Sequence, residues 1–145
     1  IQFSFPGVPC VYYGDEVGLQ DEEGFGSRNC MPWTESSWNS ALLDFYKRII
    51  AYRKHSLLLQ EGSFRLIYSA EDFILYMRSF KNQHILVTAN RSKKSLSPQQ
   101  LDLSWLGIEN DLIFKALFSP ESMRLTNGVL YLPVIEQGGE IWHLN

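Results

Sequence analysis

Three textures follow one another along the chain. Residues 8–13, Val-Pro-Cys-Val-Tyr-Tyr, are a short apolar run rich in β-branched and aromatic side chains, closed by Gly14. Such a run predicts a strand buried on both faces, the pattern of a parallel sheet. Residues 14–37 are glycine-rich and polar, with Leu19, Phe25, Met31 and Trp33 isolated and no sustained period, which predicts a long loop. Loops of more than about 12 to 15 residues in compact domains are mostly functional or disordered, and the interspersed aromatics favour a functional one. Next, Leu42, Phe45, Tyr46, Ile49, Ile50 and Arg53 recur at i, i+3, i+4, i+7, i+8 and i+11, one face of a helix. Asn39 or Ser40 can cap its start, and it should end near His55, with Lys47, Arg48, Arg53 and Lys54 placed to suit the negative end of the helix dipole.

Beyond Gln60 the pattern is that of strands. Residues 62–69, 73–80, 84–90, 112–118, 129–132 and 140–144 are short apolar or alternating runs, and Leu101, Leu103 and Trp105 suggest one more. Turn signals separate them at Ala70-Glu71-Asp72, Lys81-Asn82-Gln83, Thr126-Asn127-Gly128 and Gln137-Gly138-Gly139. Six or more strands at this spacing predict an antiparallel β-sandwich. One strand, one loop and one helix ahead of such a module lack a surface to pack on, since a lone strand has two open edges and a helix of about 15 residues is marginal by itself. The expected missing partner is a (β/α)₈ barrel upstream, whose final unit residues 1–57 would supply, with residues 58–145 as the sandwich.

Composition narrows the function classes. The 145 residues are 45% apolar and 20% charged, ordinary globular material, with a formal net charge of −3. Basic residues cluster only at Arg91, Lys93 and Lys94, so no nucleic-acid footprint is present, and no apolar run approaches the length of a membrane span. Ile1 is a poor start for a chain, so any targeting signal is expected upstream and the compartment stays open. Cys10 and Cys30, with His55, His84 and His143 dispersed, offer no metal-ligand spacing; buried free thiols are expected, with no metal and no cofactor.

Gly7-Val8-Pro9-Cys10-Val11-Tyr12-Tyr13-Gly14-Asp15-Glu16 resembles the last barrel strand of the α-amylase superfamily, glycoside hydrolase family 13. Ser27-Arg28-Asn29-Cys30-Met31-Pro32-Trp33 is similar to the Arg-x-x-Met-x-Trp segment of its neopullulanase, cyclomaltodextrinase and maltogenic amylase branch. Ile50-Ala51-Tyr52-Arg53-Lys54, with Glu61-Gly62-Ser63-Phe64 beyond, resembles the branch's final helix and its passage into the C-terminal sandwich. The physical reading agrees: Pro9 belongs at a strand start, where no ladder donor is needed, and Gly14 permits a sharp turn out of the barrel.

The resemblance implies a parent enzyme that cleaves or transfers α-glucosidic bonds with retention, acting on an α-glucan or maltodextrin. It places Arg28 in the sugar cleft, where a guanidinium offers a planar fork of donors. Trp33 is a further candidate substrate contact by stacking, against a packing role at the foot of the loop. Gly24-Phe25-Gly26 departs from the Asp-Pro that many members carry before that arginine. No catalytic residue is expected here. Retaining glycosidases need two carboxyl groups about 5 to 5.5 Å apart, whereas Asp15 and Glu16, if extended, point to opposite faces, and Asp21, Glu22 and Glu23 read as a solvated turn. The resemblance assigns the catalytic carboxylates to earlier strands. Two other functions share the fold: a sandwich that binds glucan through Trp105, Tyr131 and Trp142, and a purely structural cap.

Overall fold

The computed structural model describes residues 1–20, 29–108 and 111–144. Helix α1 (Ser40–His55) starts at Asn39, whose side chain accepts the Leu42 amide at 3.0 Å, and Arg53, Lys54 and His55 occupy its last turn. A short helix α2 (Leu57–Glu61) follows directly, its first turn capped by Ser56. It had no counterpart in the sequence reading, because five residues are too few to display a period.

Eight strands form one all-antiparallel sheet: β1 (Ser63–Ser69), β2 (Phe73–Phe80), β3 (Gln83–Asn90), β4 (Gln99–Asp102), β5 (Leu112–Ala116), β6 (Ser122–Thr126), β7 (Val129–Leu132) and β8 (Gly138–Leu144). Their order is β1-β2-β3-β8-β5-β6-β7-β4. The sheet curls until its two halves face each other as the expected sandwich. Phe73, Leu75, Met77 and Leu86 from β2 and β3 meet Phe114, Met123, Leu125, Leu130, Leu132 and Trp142 from β5 to β8 in one core. The opposite faces of β2, β3 and β8 carry Tyr76, Ile85, Val87 and Ile141, which pack against Ile49 of α1, Leu58 and Leu59 of α2, and Phe3. Both faces of these central strands are therefore covered, which is why they read as nearly continuous apolar runs.

Two hairpins are set by their turns. The β2–β3 register closes at Phe80↔Gln83 through Lys81, whose φ is 54°. The β6–β7 register closes at Thr126↔Val129 through Asn127 (φ 50°) and Gly128 (φ 76°), the doubly left-handed pair of a type I′ turn. Strand β6 escaped the sequence reading because only Met123 and Leu125 mark its inner face. Trp105, expected in a strand, lies in a 3₁₀ turn (Ser104–Leu106) after β4.

Residues 8–13 depart from expectation most clearly. They form no strand, and Val8 is 96% exposed. Strand composition needs a neighbouring backbone to pair with, and the sheet's hydrogen bonds are made among β1 to β8 without this segment. For the same reason Cys10 is exposed rather than buried, and Cys30 is exposed too.

Candidate functional site

Two buried arginines hold the first seven residues in place. Arg53 of α1 donates to the carbonyls of Phe3 (2.7 Å), Phe5 (3.2 Å) and Gly7 (2.5 Å). Arg78 of β2, 1% exposed, donates from Nη1 to Ser4 (2.7 Å), from Nη2 to Leu59 (3.1 Å) and Gly62 (2.7 Å), and from Nε to Ser63 (3.1 Å). The hydroxyls of Ser4 and Tyr76 bond at 2.7 Å. Burial, and then the neighbouring charge of Arg53, draws the Arg78 pKa down from its ordinary value. Carbonyl oxygens, not carboxylates, satisfy both guanidinium groups. The sequence had assigned Arg53 to the helix dipole and passed over Arg78; the legible signal was a cation at an inward position of an apolar strand and of an apolar helix stripe.

From this anchor the chain runs through residues 8–13 into a tight turn. Gly14, at φ 91°, lets Leu19 close against its backbone, and a Cβ there would fall 2.6 Å from Leu19 Cδ2. A 3₁₀ turn (Asp15–Val17) follows, in which the Glu16 carboxylate accepts the Gly14 amide at 2.9 Å. Asp15 and Glu16 are thus in a turn, not extended as supposed, and Glu16 is occupied by its own backbone. The loop's base is pinned where it leaves and returns: Asn29 Nδ2 donates to the Gln20 carbonyl at 2.8 Å, and the Tyr13 hydroxyl donates to the Asn29 carbonyl at 3.0 Å. Arg28, Asp21, Glu22, Glu23 and the Gly24-Phe25-Gly26 departure lie outside the described residues. Trp33 is 83% exposed in this chain, and the indole of Trp38 closes this stretch by donating to the Pro32 carbonyl at 2.5 Å.

Among the described residues no cluster of three His, Cys, Asp or Glu side chains could hold a metal. The three aromatics considered for a glucan-binding sandwich are not all exposed. Trp142 is 2% exposed and donates to Thr88 Oγ1 at 2.9 Å, inside the core. Trp105 is exposed beneath the Arg65 guanidinium at 5.5 Å, and Tyr131 lies on the outer side of β7 opposite Gln100 and Arg124, between inward-facing Leu130 and Leu132.

No family model matches the chain. Among curated proteins it is similar to a cyclomaltodextrinase of Thermoanaerobacter pseudethanolicus, 38% identical over 93 residues, covering 64% of this chain and 16% of that protein. A maltogenic α-amylase of Bacillus acidopullulyticus is 33% identical over 130 residues, covering 86% of this chain and 21% of that protein. Among solved structures, an Anoxybacillus α-amylase superposes with a TM-score of 0.82 at 24% identity, over 99% of this chain and 30% of that one, a likeness of fold. The curled antiparallel sheet has the fold of the C-terminal β-sandwich of such α-amylases. In sequence the chain's relatives are cyclomaltodextrinases, maltogenic amylases and a neopullulanase, which it matches in their C-terminal region. It spans less than a quarter of the length of either curated relative named here.

Proposed function

We propose that the chain is the closing portion of an enzyme that hydrolyses or transfers α-glucosidic bonds with retention. In this reading residues 1–57 supply the last strand, loop and helix of a catalytic (β/α)₈ barrel, and residues 58–145 form the sandwich that supports it. The observation that carries the proposal is the exposed apolar segment 8–13 beside α1. Val8, Pro9 and Val11 line a groove of about 490 Å³ with Ile50, Arg53 and Lys54, while Tyr12 and Tyr13 are 51% and 42% exposed. An upstream barrel strand would give this segment its ladder partner, and covering its apolar side chains is worth roughly 1.5 to 3 kcal/mol for each one fully buried.

Substrate contacts fall to the loop whose base Asn29 closes. Arg28 donates to sugar hydroxyls, and the exposed ring of Trp33 is free to stack on a pyranose. The chain by itself is inert, because retention needs a converging carboxylate pair and Glu16 is committed to the Gly14 amide. The full-length parent should release sugars from maltoheptaose, β-cyclodextrin or pullulan with retained anomeric configuration, while the 145-residue chain releases none. In the parent, Arg28→Ala should lower kcat/KM by about 1.5 to 3 kcal/mol at constant melting temperature. A parent inactive on all three substrates, or an active isolated chain, overturns the reading.

A further inference from the structure

Arg53 and Arg78 bring two positive charges into the interior with no negative charge to offset them. They are 8% and 1% exposed, and among the described residues the only ion pair is that of Arg91 with Asp72. Carbonyl oxygens satisfy guanidinium donors but carry no net charge. Each arginine also makes the other costlier: burial, and then the charge of Arg53, lowers the Arg78 pKa. Buried charges are ordinarily matched by an opposite charge. Arg53 keeps a donor in reserve, because Nη1 and Nη2 serve Phe3, Phe5 and Gly7 while Nε has no acceptor among the described residues.

Arg53 lines the groove of about 490 Å³ between α1 and residues 8–13. Lys54 and Gln60 line it too, no carboxylate does, and the other walls are apolar, Val8, Val11 and Ile50 among them. One wall offers unpaired backbone as well. The amides of Val8, Cys10, Val11 and Tyr12 donate to nothing among the described residues. A row of free amides beside apolar walls suits an extended strand, and two cations without a counter-charge suit a carboxylate. A neutral strand would pair the amides yet leave Arg53, Lys54 and Arg78 uncompensated.

We infer that the groove receives an extended apolar segment of the longer protein that carries an Asp or Glu side chain, whose carboxylate pairs with Arg53 and Lys54. The inference rests on the proposed reading of residues 1–57 as the end of a barrel and adds the charge of the strand that adjoins them.

Hydrogen exchange followed by mass spectrometry tests it, on the full-length parent and on the 145-residue chain side by side. Residues 8–13 should be protected in the parent and exchange freely in the isolated chain. In the parent, Lys54→Glu should speed their exchange about tenfold, Lys54→Met less, and Lys54→Arg not at all. Lys54 lies in the last turn of α1, so Lys54→Glu also acts on the helix dipole; that effect appears at the α1 amides and is equal in parent and isolated chain. If residues 8–13 exchange freely in the wild-type parent, no strand covers them, and the barrel reading falls together with the inference. Protection that Lys54→Glu leaves unchanged keeps the barrel reading and overturns the carboxylate alone. Sodium acetate that protects residues 8–13 in the isolated chain overturns the segment and assigns the groove to a free carboxylate.

Discussion

Replacing Arg78 with methionine should cost more stability than any other single charge removal described here. The side chain is 1% exposed and donates to four carbonyls, those of Ser4, Leu59, Gly62 and Ser63, contributed by the N-terminal turn, α2 and the start of β1. Hydrogen bonds from a charged donor contribute about 1.5 to 3 kcal/mol each when measured singly, so a plain sum would reach roughly 6 to 12 kcal/mol. That sum is too large. The four bonds share one guanidinium, whose burial is itself unfavourable, as the lowered Arg78 pKa indicates, and water can reach some of the carbonyls once the local structure loosens. Arg78→Met should therefore lower unfolding free energy by about 3 to 5 kcal/mol, among the larger effects of a point substitution. For a chain of this size the melting temperature would fall by about 10 °C or more. Urea unfolding followed by tryptophan fluorescence measures this, with Arg91→Met as the control. The Arg91–Asp72 pair is short, 2.6 Å, but its side chains are 74% and 45% exposed, and its loss should cost less than about 1 kcal/mol. Equal losses at the two arginines, or a loss below about 1 kcal/mol at Arg78, would refute the view that carbonyl-satisfied burial fixes the N-terminal segment.

Two further substitutions probe the sandwich. Gly128→Ala places a Cβ 2.8 Å from the Ser104 Cα at a residue with φ 76°, so it should lose about 1 to 3 kcal/mol in the same unfolding assay, whereas Asn127→Gly should be nearly neutral. Thr88→Val preserves shape but leaves the buried Trp142 indole N–H without its acceptor; a loss of about 1 to 3 kcal/mol is expected, and Trp142→Phe added to it should cost little beyond the lost packing, measured as a double-mutant cycle.

Much of the fold was legible before any coordinates. The β2–β3 hairpin follows from two apolar runs around Lys81-Asn82, and the helix follows from its stripe and from Asn39, because alternation, helical period and capping depend on residues close in sequence. The sharp turn at Gly14 was legible in the same way. Other features depended on partners far away in the chain. Placement of β8 between β3 and β5 depends on which sheet edges remain unpaired after the local hairpins form. The roles of Arg53 and Arg78 depend on carbonyls up to 74 residues distant, since a buried cation is tolerable only where the assembled backbone converges on it. Residues 8–13 carry the composition of a buried strand, yet composition supplies no neighbouring backbone. Only the tertiary structure revealed Val8 and Cys10 standing in the open beside a sheet whose strands pair without them, because strand formation, unlike helix formation, takes its hydrogen bonds from another segment.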